Sequence, residues 1–148
     1  MSELENKEII NTNNLSTRYG MIAGLIMSIF LVAFQASGND FSPFYKLANY
    51  IILGITVVIA LNVLNQKTPG DVFVKGVGTG TSLSLVAGLA LVIINYLLFF
   101  IFPELSFSKY SIEPTNLKQV TMVSAVLFFE TLVFGSLITF ATVQYLKR

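Results

Sequence analysis

Charged residues in this chain are confined to narrow zones, and the gaps between them constrain its fold more than any other feature. No charge falls between Arg18 and Asp40, between Lys46 and Lys67, or between Lys75 and Glu104. Between Lys118 and Lys147 there is one, Glu130. At ~1.5 Å per helical residue, each gap is about long enough to cross a ~30 Å hydrocarbon core. A soluble bundle of helices this long would need a charged outer face on each one, and these runs supply none. The expected fold class is therefore all-α: an integral membrane bundle of four transmembrane helices.

Composition agrees. Charged residues make up 11% of the 148, against about 25% in an average soluble domain. The net charge of +1 comes without a basic stripe or tail, so nucleic acid is not an expected partner. Cysteine and histidine are both absent. That removes disulfides, thiolate metal sites and thiol nucleophiles, together with the commonest general base and metal ligand. No metal site, cofactor or catalytic residue is expected, and the chain reads as non-enzymatic.

The turn chemistry places the helices. Residues 1–16 read as a polar tail, in which Glu3, Glu5 and Glu8 outweigh Lys7, unlike the basic start of a signal peptide. Asn13, Asn14, Ser16 and Thr17 are candidate helix caps. The first helix is expected at about 17–37, followed by a turn through Gly38 to Pro43, since proline cannot continue a helix. The second is expected at about 44–64, closed by Lys67-Thr68-Pro69-Gly70-Asp71, a strong turn signal. The third is expected at about 71–102 and stops at Pro103. After a loop over 103–118 the fourth covers about 115–145, and residues 17–148 make up the membrane domain.

With an even number of spans both termini share a side. That side carries six cations, Lys7, Arg18, Lys67, Lys75, Lys147 and Arg148, against Lys46, Lys109 and Lys118 opposite. The positive-inside rule then places both termini in the cytoplasm. Phe41, Phe44, Tyr45, Phe107 and Tyr110 would form the outer aromatic belt, and Tyr19 and Tyr145 the inner one.

Two small-residue patterns point to helix contacts. The run Gly76-Val77-Gly78-Thr79-Gly80 superficially resembles a phosphate-cradling loop, but no strand precedes it and no Lys-Ser/Thr follows. Gly76, Gly80, Ser84 and Gly88 instead recur every four residues, a spacing that lets a neighbouring helix approach closely in a bilayer. Gly20 and Gly24 repeat the pattern in the first helix. In the fourth, Ser124, Thr131, Gly135 and Thr142 lie within about 20° of one line.

Glu130 stands about 18 Å along its helix from Lys118 and about 26 Å from Lys147, near the bilayer centre and slightly outward. An intramembrane carboxyl group is costly and marks a functional site by default. Its helix neighbours Val126, Leu127, Val133, Phe134 and Leu137 are apolar, so the neutral acid is the expected form. Asn95, about 12 Å below Pro103, is the candidate hydrogen-bond partner. Gln35, Asn49 and Asn62 fall close to helix ends and read as interfacial.

The segment Pro69-Gly70-Asp71-Val72-Phe73-Val74-Lys75-Gly76 leads into a glycine-containing helix. The last helix runs from Phe128-Phe129 through Phe134-Gly135-Ser136-Leu137-Ile138 to Lys147-Arg148. In these signatures, and in layout over residues 16–148, the chain resembles a family of small four-helix bacterial inner-membrane proteins catalogued as a domain of unknown function. The resemblance implies topology and a bacterial inner-membrane location. Small multidrug transporters also combine four helices with one membrane glutamate, but theirs lies in the first helix, so that match is rejected. The expected role is a structural or accessory subunit that packs in the lipid bilayer, as a homo-oligomer or within a larger membrane complex. The alternative is a small proton- or ion-coupled transporter or channel that uses Glu130.

Overall fold

Neither proline nor glycine occurs between Ser2 and Tyr19, and Asn, Ser and Thr each disfavour a helix by less than about 1 kcal/mol. The first helix accordingly reaches back through the polar tail: α1 spans Ser2–Ala36, not about 17–37. Ser16, a candidate cap, instead bonds back along the helix, its Oγ donating to the Thr12 carbonyl at 3.0 Å. Helix α2 spans Pro43–Lys67, α3 Val72–Ile101 and α4 Leu117–Leu146, so α2 runs one turn further than expected. This computed structural model describes residues 2–36, 43–67, 72–103 and 117–146. The turns at 38–42 and 68–71, most of the loop over 103–118, and the side chains of Gln35, Phe41, Phe44, Tyr45, Phe107 and Tyr110 lie outside the described residues.

Close approaches give the helix directions. Gly20 lies against Leu83 and Val86, and Gly24 against Ala87 and Ala90, so α1 and α3 run parallel. Gly76 meets Val143, Gly80 meets Thr139, and Gly135 meets Ser84. Numbers rise in α3 as they fall in α4, and that pair is antiparallel. Gly54 packs on Ile138 and Tyr50 reaches Glu130, so α2 runs with α4. The helices alternate up and down, and the start of α1 and the end of α4 share one face of the bundle.

Helix α3 is held between α1 and α4, while α2 touches all three. The interior is built from Met27 and Leu31 of α1, Leu53, Val57 and Leu61 of α2, Leu83 and Leu91 of α3, and Leu127 and Val143 of α4, all buried. Outside, every helix exposes large apolar side chains, among them Ile29, Ile55, Ile93, Phe129 and Leu137. Mean hydropathy over the best window of each helix is 1.7 to 2.5. An apolar shell on four spanning-length helices suits lipid rather than water. The protein is an all-α, four-helix membrane bundle.

Within lipid, burial of apolar surface does not itself draw helices together, so close packing must. The small residues provide it. A Cβ on Gly20 would lie 2.7 Å from the Leu83 carbonyl oxygen, and one on Gly76 would lie 2.8 Å from Val143 Cγ2. The hydroxyls at these seams turn back on their own helices. Ser28 donates to the Gly24 carbonyl, Ser84 to Gly80, and Thr139 to Gly135, at 2.7 to 2.9 Å. So satisfied, a serine or threonine packs as a small residue.

Candidate functional site

Polar chemistry inside the bundle gathers where α2 passes α4. Helix α4 sets Glu130 half-buried, one position before Thr131, which is buried and donates to the Leu127 carbonyl at 2.7 Å. Helix α2 brings Asn49 and Tyr50 alongside. The Tyr50 hydroxyl donates to Glu130 Oε2 at 3.1 Å. Its ring stacks on Phe134 with centroids 4.1 Å apart, and because Phe134 lies four residues beyond Glu130, both contacts come from one face of α4. Asn49 is 4% exposed and its Oδ1 has no hydrogen-bond partner.

These groups face a cavity of about 10 Å³ lined by Met27, Asn49, Tyr50, Leu91, Leu127, Glu130 and Thr131, roughly the space of one water-sized body. All four helices contribute to it. On the other side of Tyr50 and Phe134, a wide groove runs over Leu47, Ile51, Gly54, Ile55, Val58, Ile59 and Ile138. It is apolar along its length and faces outward. Tyr50 thus divides a lipid-facing groove from the polar cavity and borders both.

Of the expected pair, Glu130 accepts from Tyr50, and Asn95 Nδ2 donates to Ser124 Oγ at 2.8 Å. Asn95 and Ser124 are both buried. Next to them Tyr96 donates to Thr121 Oγ1 at 2.8 Å, so polar bonds bridge α3 and α4 toward that end of the bundle. Asn62 is exposed. Asn49, which read as interfacial, is instead enclosed beside Glu130.

The glycine run divides between two surroundings. Gly76 and Gly80 face α4, and Gly88 meets the Phe128 ring. A Cβ on Gly78 would meet nothing within 4 Å. That glycine opens on a polar cleft of about 220 Å³ with Thr12, Asn13, Ser16, Lys75, Thr79 and Ser82. In α4, Ser124, Thr131 and Gly135 are buried, whereas Thr142 is only partly so and donates to the Ile138 carbonyl at 2.8 Å. The position facing Gly80 is Thr139, fully buried, which lies off the line through Ser124, Thr131, Gly135 and Thr142. Its signal is the four-residue spacing from Gly135 to Val143.

The Asn49–Glu130 cavity therefore offers a carboxyl, a carboxamide and two hydroxyls in an apolar frame. Such a set can exchange hydrogen bonds, hold a proton or coordinate a hard ion. No protein-family model, characterised protein or solved structure matches the chain.

Proposed function

We propose that this protein is a non-enzymatic structural or accessory subunit that acts by packing in the membrane, against a second copy of itself or within a larger membrane complex. One observation carries the reading: three polar pairs within the spans join one helix to another. Asn95 bonds Ser124, Tyr96 bonds Thr121 and Tyr50 bonds Glu130. Groups used this way brace a bundle. In the same reading the chain sits in a bacterial inner membrane with both termini cytoplasmic, as its six-to-three charge asymmetry and its family resemblance suggest.

Native mass spectrometry of the protein released from lipid nanodiscs tests this. A homo-oligomer, or a complex of fixed stoichiometry, is the expected result. A lone monomer at every concentration refutes the reading. A second reading, ion- or proton-coupled transport through Glu130, is favoured by the unpartnered Asn49 oxygen beside that carboxyl group. A reconstituted flux abolished by Glu130→Gln would promote it over packing.

A further inference from the structure

We propose that the polar cleft between α1 and α3 binds one phosphate group, with a phospholipid headgroup as its source. The cleft, of about 220 Å³, lies beside Gly78, where a Cβ would meet nothing within 4 Å. A single water needs only ~10–15 Å³, so the space suits a group of several atoms. Thr79 is what points to a ligand. The buried hydroxyls of Ser16, Ser28, Thr56, Ser84, Thr131 and Thr139 each donate to the carbonyl four residues back, and that of Ser124 accepts from Asn95. Thr79 is 4% exposed and makes neither kind of bond. Its oxygen is not sealed as Asn49 Oδ1 is, and the side chain lines the cleft. A buried hydroxyl left open in this way calls for a partner from outside the chain.

The lining fixes the chemistry of that partner. Ser82 and Asn13, both exposed, add a further hydroxyl and a carboxamide. Lys75 is the charged residue of the lining, which includes no acidic side chain. An ammonium group carries three donors, so the interaction that Lys75 makes elsewhere does not close it to a ligand. Hydroxyl, amide and ammonium donors around one space match the oxygens of a phosphate, whereas a cation would face Lys75 with no carboxylate in the lining to hold it. Depth gives the source. Lys75 is the last charge before the uncharged run of α3, and the apolar spans of α1 and α3 begin at Thr12 and Phe73. The cleft thus opens at headgroup level, where basic pockets between transmembrane helices take lipid phosphates. Its occupancy is independent of whether the bundle packs or transports.

The test uses the full chain, delipidated in detergent and read by native mass spectrometry. Dioleoylphosphatidylglycerol should bind at one tight site per chain. It should bind at least about tenfold more tightly than dioleoylglycerol, which has the same acyl chains and no phosphate, as one hydrogen bond to a charged group alone would give. The near-isosteric Thr79→Val and the cleft-filling Gly78→Leu should each reduce that ratio several-fold. Thr142→Val, whose hydroxyl bonds within its own helix, should leave it unchanged. Excess inorganic phosphate should fail to displace the lipid; displacement would keep the phosphate site and overturn the lipid source. A parent chain that binds the two lipids equally overturns the proposal, even if the variants fail to fold. A phosphate preference that survives both Thr79→Val and Gly78→Leu overturns it as well. Neither result bears on the oligomeric state that tests the packing role.

Discussion

Replacing Gly24 with alanine tests whether close packing of α1 on α3 holds this bundle together. The added Cβ would sit 2.6 Å from the Ala90 Cβ, 3.0 Å from the Ala87 carbonyl oxygen and 3.4 Å from the Ala87 Cα. Carbon atoms in contact prefer about 3.5–4.0 Å, so the nearest pair falls short by roughly 1 Å. Neither obstacle can swing aside, since one is backbone and the other a Cβ fixed to it. The helices must separate, and overpacking of this kind costs ~1–3 kcal/mol. Alanine also favours a helix over glycine by ~0.8–1.0 kcal/mol, which masks part of the effect. Gly78→Ala isolates that gain, because a Cβ there meets nothing within 4 Å. Equilibrium unfolding in mixed micelles should therefore place Gly24→Ala about 1–3 kcal/mol below Gly78→Ala. Adding Ala90→Gly removes the closest contact and should recover part of the difference beyond the new glycine's own cost. If Gly24→Ala and Gly78→Ala unfold together, the α1–α3 seam is not close-packed and the account of the fold fails.

Gly80→Ala should also destabilise relative to Gly78→Ala, because its Cβ would run into Thr139; Thr139→Ala in the same chain should restore part of the loss in the same unfolding assay. Glu130→Gln should melt within about 1 kcal/mol of the parent, since the amide oxygen still accepts from Tyr50. Glu130→Leu and Tyr50→Phe should each lose that bond at a cost of about 0.6 kcal/mol, the average measured between membrane helices, and a loss several times larger would mean the pair does more than brace α2. Single cysteines at Gln66 and Phe102, at opposite ends of the bundle and in a chain with no native cysteine, should label asymmetrically in intact cells. An impermeant reagent should reach the Phe102 position from outside and not the Gln66 position; the reverse pattern would invert the proposed orientation.

The four spans were legible in the sequence because hydropathy and charge act along a single helix and need no neighbour. The glycine and serine stripes were legible for the same reason: a four-residue spacing fixes one face of a helix wherever that helix packs. Their targets were not. That Gly80 meets Thr139, or that Asn95 meets Ser124, depends on the register of α3 against α4, which is settled by the whole seam at once. Helix α1 is longer than its apolar stretch because polarity does not end a helix: with no glycine or proline over residues 2–19 the backbone continues its hydrogen-bond ladder beyond the apolar segment. Asn49 shows most clearly what only tertiary structure decides. It lies about 9 Å inside the start of α2, and Glu130 about 20 Å inside the start of α4, so each judged by its own helix seems to occupy a different depth. Helix α2 begins deeper in the bundle than α4 does, and the offset of roughly 10 Å brings the two residues level. Distance from a helix end is a property of one segment of sequence, whereas depth in the bundle is set by how that helix is seated against the other three.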